Sequence, residues 1–305
     1  MGGIALLFSG QGGQHPALLP WLDESAPLVR SVAALLGMDW RTRLADPAWA
    51  GTNRHAQPLL VGLSLAAWAQ LAPDLPPPAA VAGYSVGELA ACAAAGVFDA
   101  ATALALAQGR AAAMDRCVDR AAPAGMAAVS GLGEGALSAL CERFGLAVAI
   151  RNGPSNVVLG GPAAALRAAQ EQAREAGAQC TPLNVRVPSH TPWMAGAARE
   201  LAALLQPLPC ARPRTLLWGG ATGTPLVEGE AVRQALALQV DHTLRWDLCL
   251  EGIAARRPQC VLEIGPGHGL ARMWEKAYPD IPARSADEFR SAAAVRAWVS
   301  RALDG

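Results

Sequence analysis

The stretch Gly83-Tyr84-Ser85-Val86-Gly87 limits what this chain can fold into more than any other. It lies between a short apolar run at Ala79–Ala82, read as a strand, and a helical segment at Val86–Ala95. A strand-to-helix turn this tight needs small residues on both sides of the serine. It pushes the hydroxyl outward and sets it at a helix N-terminus, where negative charge is favoured. A serine that only caps the helix between two turn glycines is the competing reading.

The surrounding pattern is α/β. A strand is expected at Ile4–Phe8, helices near Pro27–Leu36 and Pro58–Leu71, and a second helix after the turn at Ala100–Cys117, with Asp99 as its N-cap. The period then changes. Strands at Met126–Ser130, Ala147–Arg151, Asn156–Leu159 and Cys180–Val187 alternate with helices at Glu134–Phe144 and Ala163–Ala176, which is the βαββαβ order of a ferredoxin-like unit. Beyond it, helices are expected at Trp193–Leu204, Glu230–Val240 and Trp246–Ala255, and strands at Thr215–Trp218 and Cys260–Ile264. The expectation is a large α/β domain, residues 1–124 and 188–305, interrupted by a small unit at residues 125–187.

Composition excludes several classes of partner. With 25 basic and 25 acidic residues the formal charge is zero, so the field that a nucleic-acid or membrane-surface binder needs is missing. The apolar stretches Leu59–Leu71 and Leu89–Ala107 are interrupted by Gln70, Gly96 and Asp99 and read as core helices, not membrane spans. Seven cysteines, an odd number without a Cys-x-x-Cys pair, argue against a disulfide framework or a zinc site and are expected as buried free thiols. Met1–Phe8 lacks a basic leader and a long apolar stretch, so a cytoplasmic protein is expected.

A serine nucleophile needs a base, and the histidines are His15, His55, His190, His242 and His268. His190 ranks first, because Val187-Pro188-Ser189-His190 ends a strand and its proline fixes the backbone. His15 and His268 adjoin glycine-rich loops, whereas His55 and His242 lie in polar connections. Gly10-Gln11-Gly12-Gly13-Gln14 follows the first strand and is able to offer backbone N–H groups to an oxyanion together with that of Val86; spacing alone does not separate this from a plain loop. Arg110 lies in an alanine-rich helix and invites a carboxylate, with a structural ion pair or a snorkelling surface arginine as alternatives.

Taken together, these segments resemble the malonyl-CoA:acyl-carrier-protein transacylases and the related acyltransferase domains of fatty acid and polyketide synthases, over nearly the whole chain. Phe8-Ser9-Gly10-Gln11-Gly12-Gly13-Gln14 is similar to the family's Phe-Pro-Gly-Gln-Gly-Ser-Gln, and Gly83–Glu88 to its Gly-His-Ser-Leu-Gly-Glu turn. Arg110 falls 25 positions after Ser85 (110 − 85), where the family has its carboxylate-binding arginine. Val187–His190 matches the Pro-Ser-His base segment, and Gln239 and Glu263–Gly267 match two C-terminal landmarks. Tyr84, Ser9 and His268 depart from the family's histidine, proline and lysine.

The resemblance implies a hydrolase-like α/β core with an inserted ferredoxin-like subdomain. It implies Ser85 as nucleophile, His190 as base, Gln11 and the Val86 N–H as the oxyanion site, the Gln239 carbonyl as the group that steadies His190, and Arg110 as the grip on a malonyl carboxylate. It also implies malonyl-CoA as substrate, an acyl carrier protein as partner, and no metal or bound cofactor. A monomer is expected, and arginines such as Arg116 and Arg120 are candidates to meet an acidic partner. The alternatives are the malonyl transferase subunit of a malonate decarboxylase, a serine esterase or thioesterase, and a non-catalytic docking subunit.

Overall fold

Aliphatic runs without polar alternation dominate the strands at the centre of the molecule, and that is the pattern of a parallel sheet covered on both faces. The computed structural model describes residues 2–117 and 123–304, so Arg120 lies outside the described residues. In chain order the strands are β1 (Ile4–Phe8), β2 (Ala80–Gly83), β3 (Ala124–Ser130), β4 (Ala147–Gly153), β5 (Asn156–Pro162) and β6 (Gln179–Pro182). They continue with β7 (Leu217–Gly219), β8 (Thr224–Leu226), β9 (Leu244–Arg245), β10 (Cys260–Ile264) and β11 (Ala283–Ser285).

Six of these form one sheet in the order β11-β10-β1-β2-β7-β8, parallel except for β8, which turns back antiparallel on β7. Every residue of β1 is fully buried. Its side chains alternate between two cores. Ile4, Leu6 and Phe8 join the core built with the helices Pro27–Leu36, Asn53–Leu71, Gly87–Ala94 and Ala100–Arg116, while Ala5 and Leu7 face the helices Trp246–Ala254 and Gly269–Ala277.

The second sheet has the order β6-β3-β5-β4-β9. Its first four strands are antiparallel neighbours in the ferredoxin-like arrangement, and the helices Glu134–Phe144 and Ala163–Glu175 share its outer core. Its fifth strand, β9, comes from beyond His190 and pairs parallel to β4, so a later segment of the chain ties the two sheets together. Met126, Ile150 and Val158 on the inner face pack into the same core as Ala5, Leu7 and Trp246.

The α/β class agrees with the sequence reading, and several boundaries differ for physical reasons. The helix expected from Pro58 begins at Asn53: a proline in the second turn forfeits one intrahelical bond, and burial of 14 of the helix's residues outweighs that loss. The strand expected to reach Val187 ends at Pro182, since proline has no N–H to continue the ladder. The expected helix from Trp193 opens as a 3-10 turn, Pro192–Met194, before the α-helix Ala195–Leu205. His55 is not in a polar connection; it sits in the first turn of a helix, stacked on Trp49 at 4.4 Å. Three of the cysteines, Cys92, Cys249 and Cys260, are buried, but Cys117, Cys141, Cys180 and Cys210 are only half-buried. Arg116 pairs with Glu200 on the surface.

The parallel order brings three loops to one edge. The segments that follow β1, β2 and β10 leave the carboxyl ends of neighbouring strands, where the chain turns to opposite sides of β1, and such a crevice is the usual ligand site of an open α/β sheet. Glycines let these loops touch. A Cβ on Gly87 would collide with the Phe8 carbonyl oxygen, and one on Gly10 would lie 2.6 Å from that of Tyr84. Both obstacles are backbone and have no rotamer to yield. Gly87→Ala is therefore expected to cost about 3 kcal/mol or more, the upper range of overpacking, read as a lower urea midpoint; an unchanged midpoint would contradict this packing.

Candidate active site

Ser85 has φ of 54° and His190 has φ of 62°, two of the few non-glycine residues in the left-handed region. Such a conformation costs on the order of 1–3 kcal/mol and persists only where surrounding structure enforces it. At Ser85 the enforcement comes from the turn itself: the Tyr84 N–H donates to Phe8, the Gly87 N–H to Tyr84 and the Glu88 N–H to Ser85. At His190 it comes from its own N–H, which donates to the Val240 carbonyl at 2.9 Å.

These backbones aim the two side chains at each other. Ser85 Oγ lies 2.8 Å from His190 Nε2, across 105 residues of chain. His190 Nδ1 faces the main-chain carbonyl of Gln239, so the ring holds a proton at Nδ1 and presents Nε2 as the acceptor. Burial, with the neighbouring Arg110 charge second, drives the His190 pKa down to about 3, so the imidazole is neutral near pH 7. Among the described residues no carboxylate stands behind the ring; a carbonyl orients it instead.

Arg110 is 2% exposed and makes no ion pair among the described residues. Its Nη1 donates to Gln57 Oε1 at 2.9 Å, and its Nη2 donates to Gln239 Oε1 at 3.2 Å and to Ser85 Oγ at 3.3 Å. Among the described residues, then, Arg110 neither forms an ion pair nor reaches the surface. Burial lowers its pKa to about 10, partly offset by the charge of Glu88, so the guanidinium stays charged at neutral pH.

Around these groups lies a cavity of about 330 Å³ lined by Gln11, Tyr84, Ser85, Arg110, His190 and Leu270, among others. That volume is at the lower end of the range for small-molecule sites. Among the described residues, the backbone N–H groups of Gln11 and Val86 donate no hydrogen bond to other protein groups. The Gln11 side chain is turned away, donating to the Gly51 carbonyl at 3.2 Å. His15 does not reach the serine; its Nε2 meets Asp287 Oδ2 at 2.7 Å. His242 pairs with Asp241 at the surface, and His268 occupies the N-cap of the helix Gly269–Ala277.

Sequence reasoning missed three participants. Gln57 is buried just before the apolar run Pro58–Leu63 of its helix, one of several polar residues there, and nothing local tells what it meets. Glu88 follows the serine turn directly and is fully buried, and its Oε2 accepts from Gln239 Nε2 at 2.8 Å and from the Gly220 N–H at 3.1 Å. Asn152 on β4 accepts the Tyr84 hydroxyl at 3.1 Å, a contact across the two sheets that no local pattern encodes.

A half-buried serine hydroxyl on a buried imidazole at the carboxyl edge of a parallel sheet, with a buried cation beside it, has the arrangement of an acyl-transfer site. The chain belongs to the acyl transferase domain family, whose pattern it matches over residues 46–299. Relatives include the malonyl CoA-acyl carrier protein transacylases of Escherichia coli K12, 30% identical over 95% of this chain and 98% of that protein, and of Mycobacterium tuberculosis H37Rv, 33% identical over 92% and 95%. Among solved structures, the acyl carrier protein S-malonyltransferase from Vibrio cholerae superposes with a TM-score of 0.84 at 29% identity, covering 96% of this chain and 99% of that one. The corresponding enzyme from Burkholderia pseudomallei 1710b gives 0.86 at 27%, covering 97% and 99%.

Two buried carboxyls make the stability pH-dependent. Burial raises Glu88 to about 8 and Glu263 to about 7 from an ordinary 4.5, so the unfolded chain ionises first as pH rises and the folded state loses ground until both have titrated. His190 acts only below its ordinary 6.5, where falling pH protonates the unfolded chain first. The melting temperature is expected to fall between about pH 6.5 and 8.5, and Glu263→Gln should flatten that slope. A melting temperature that rises across this window in circular dichroism would contradict the assignment.

Proposed function

We propose that this protein transfers a malonyl group from coenzyme A, through an ester on Ser85, to the phosphopantetheine thiol of an acyl carrier protein. The observation that carries the reading is the buried Arg110 guanidinium, 3.3 Å from the serine hydroxyl and in no ion pair among the described residues. A planar guanidinium in a dry pocket binds a carboxylate through two parallel hydrogen bonds, which malonyl offers and acetyl does not.

In the first half-reaction His190 Nε2 takes the Ser85 proton, Oγ bonds to the thioester carbon, and the developing oxyanion is met by the N–H groups of Gln11 and Val86. The carbon–sulfur bond then breaks, and coenzyme A leaves with the proton held by His190. The carrier thiol runs the same steps in reverse order, giving up its proton to His190 as its sulfur attacks the acyl-serine. The imidazolium formed in each half-reaction is stabilised by the Gln239 carbonyl. An esterase or thioesterase reading asks for an acid behind the histidine, and that position holds a main-chain oxygen.

The same reading takes residues 125–187 as a small subdomain that closes one wall of the cleft. It takes the working enzyme as a cytoplasmic monomer without a bound cofactor, serving fatty acid or polyketide synthesis. Among the described residues no helix is long and apolar enough to cross a membrane.

Two experiments test the proposal. Mixing the protein with malonyl-CoA should add one malonyl mass on Ser85 by intact mass spectrometry, and Ser85→Ala should add none; persistent labelling of that variant would refute the nucleophile. Arg110→Ala should cost malonyl transfer about 2–5 kcal/mol in transition-state stabilisation, the usual range for cutting a buried charged pair, while acetyl transfer changes far less. Equal losses for both acyl groups would refute the role of Arg110.

A further inference from the structure

Glu88 touches neither Ser85 Oγ nor His190, yet its carboxyl is sealed under the site at 0% exposure. Its contacts run through one amide. Gln239 Nε2 donates to Glu88 Oε2 at 2.8 Å and to the Ser85 carbonyl at 3.2 Å, while Gln239 Oε1 accepts from Arg110 Nη2 at 3.2 Å. The main-chain carbonyl of the same residue accepts from His190 Nδ1. One residue therefore meets the serine turn, the imidazole and the guanidinium.

The amide has two ways to sit, and only one satisfies its neighbours. Turned over, its oxygen would face two acceptors and its NH₂ would face the guanidinium donors. The Ser85 carbonyl alone occupies one of the two N–H donors; the Glu88 carboxyl occupies the other and makes the flipped state costly. Glu88 is itself fixed by the Gly220 N–H at 3.1 Å, on the segment between β7 and β8. Among the described residues its second oxygen, Oε1, has no hydrogen-bond partner, so burying this carboxyl adds nothing to the fold through that atom.

We propose that Glu88 is a positioning residue for acyl selection: by locking the Gln239 amide it holds Arg110 turned toward Ser85, ready for the carboxylate of the incoming acyl group. This rests on the reading of the protein as a malonyl transferase. Glu88 is not a catalytic residue, because it acts on the reacting atoms only through Gln239 and Arg110.

The test is a double-mutant cycle on the full chain, with malonyl-CoA and acetyl-CoA as acyl donors and a carrier protein as acceptor. Glu88→Leu and Gln239→Ala are each expected to lower the malonyl-over-acetyl ratio of kcat/KM by about tenfold or more, what the hydrogen bond from the charged Arg110 to Gln239 is worth. The loss should appear chiefly as a higher KM for malonyl-CoA. The double variant is expected to lose no more than the worse single one, because the carboxyl has nothing to position once the amide is gone. Glu88→Gln, whose Oε1 replaces Oε2 as acceptor, should restore the ratio to within about threefold of the parent. Independent losses that multiply in the double variant, or a folded Glu88→Leu protein with an unchanged ratio, would overturn the proposal. Should Glu88→Leu not fold, Glu88→Asp draws the carboxyl back by one methylene and must show the same loss of ratio; an unchanged ratio there overturns the proposal equally. A parent protein that transfers no malonyl at all would remove the functional reading beneath it, a different failure from any of these.

Discussion

Burying the Arg110 guanidinium with no ion pair among the described residues is the costly step around which this site is arranged. Moving a charge out of water carries an effective penalty of several kcal/mol, and hydrogen bonds to neutral amides repay only part of it. Gln57 and Gln239 supply those amides from two distant helices, and the second of them is held by Glu88. On the proposed reading, the remainder of the penalty is what the carboxylate of the incoming acyl group relieves. Burial first, and the same cation second, keep His190 neutral, and the cation supplies a donor to Ser85 Oγ. Under the proposed function, one guanidinium thus serves both acyl selection and the nucleophile's hydrogen bonding.

The backbone carries a second cost at the same place. Ser85 and His190 both occupy the left-handed region, and each is held there by main-chain bonds within the loops. Those loops stay together because Gly10 and Gly87 let carbonyl groups approach where any side chain would collide. Strain at the reacting residues is balanced by burial of β1 and β10, whose residues are fully enclosed. Sheet order, glycine spacing and site geometry are three views of one arrangement.

Much of this was readable from residues alone. The serine turn, the βαββαβ order and the boundaries of β1 and β10 follow from apolar period and turn chemistry, which are local properties. The special place of His190 and Arg110 rested on a resemblance, because nothing within a few residues of either tells which other segment it will face. The Gln239 side chain, Gln57 and Glu88 were out of reach for the same reason: their roles are fixed by contacts over 53 to 151 positions of sequence. The short strands β8, β9 and β11 went unseen because their pairing, not their own two or three residues, makes them strands. The departures at Tyr84 and Ser9 gained meaning only in space, where Tyr84 bonds to Asn152 and Ser9 Oγ donates to Glu263 at 2.9 Å.

The most direct measurement is the distance from the acyl carboxylate to the Arg110 guanidinium in a crystal structure of the malonyl-serine form, trapped in the absence of any acceptor thiol. The account predicts two carboxylate oxygens at hydrogen-bond distance, about 2.7–2.9 Å, from Arg110 nitrogens, with the Gln239 amide still on Glu88. A carboxylate that points to solvent, or a guanidinium swung out of the cleft, would contradict it.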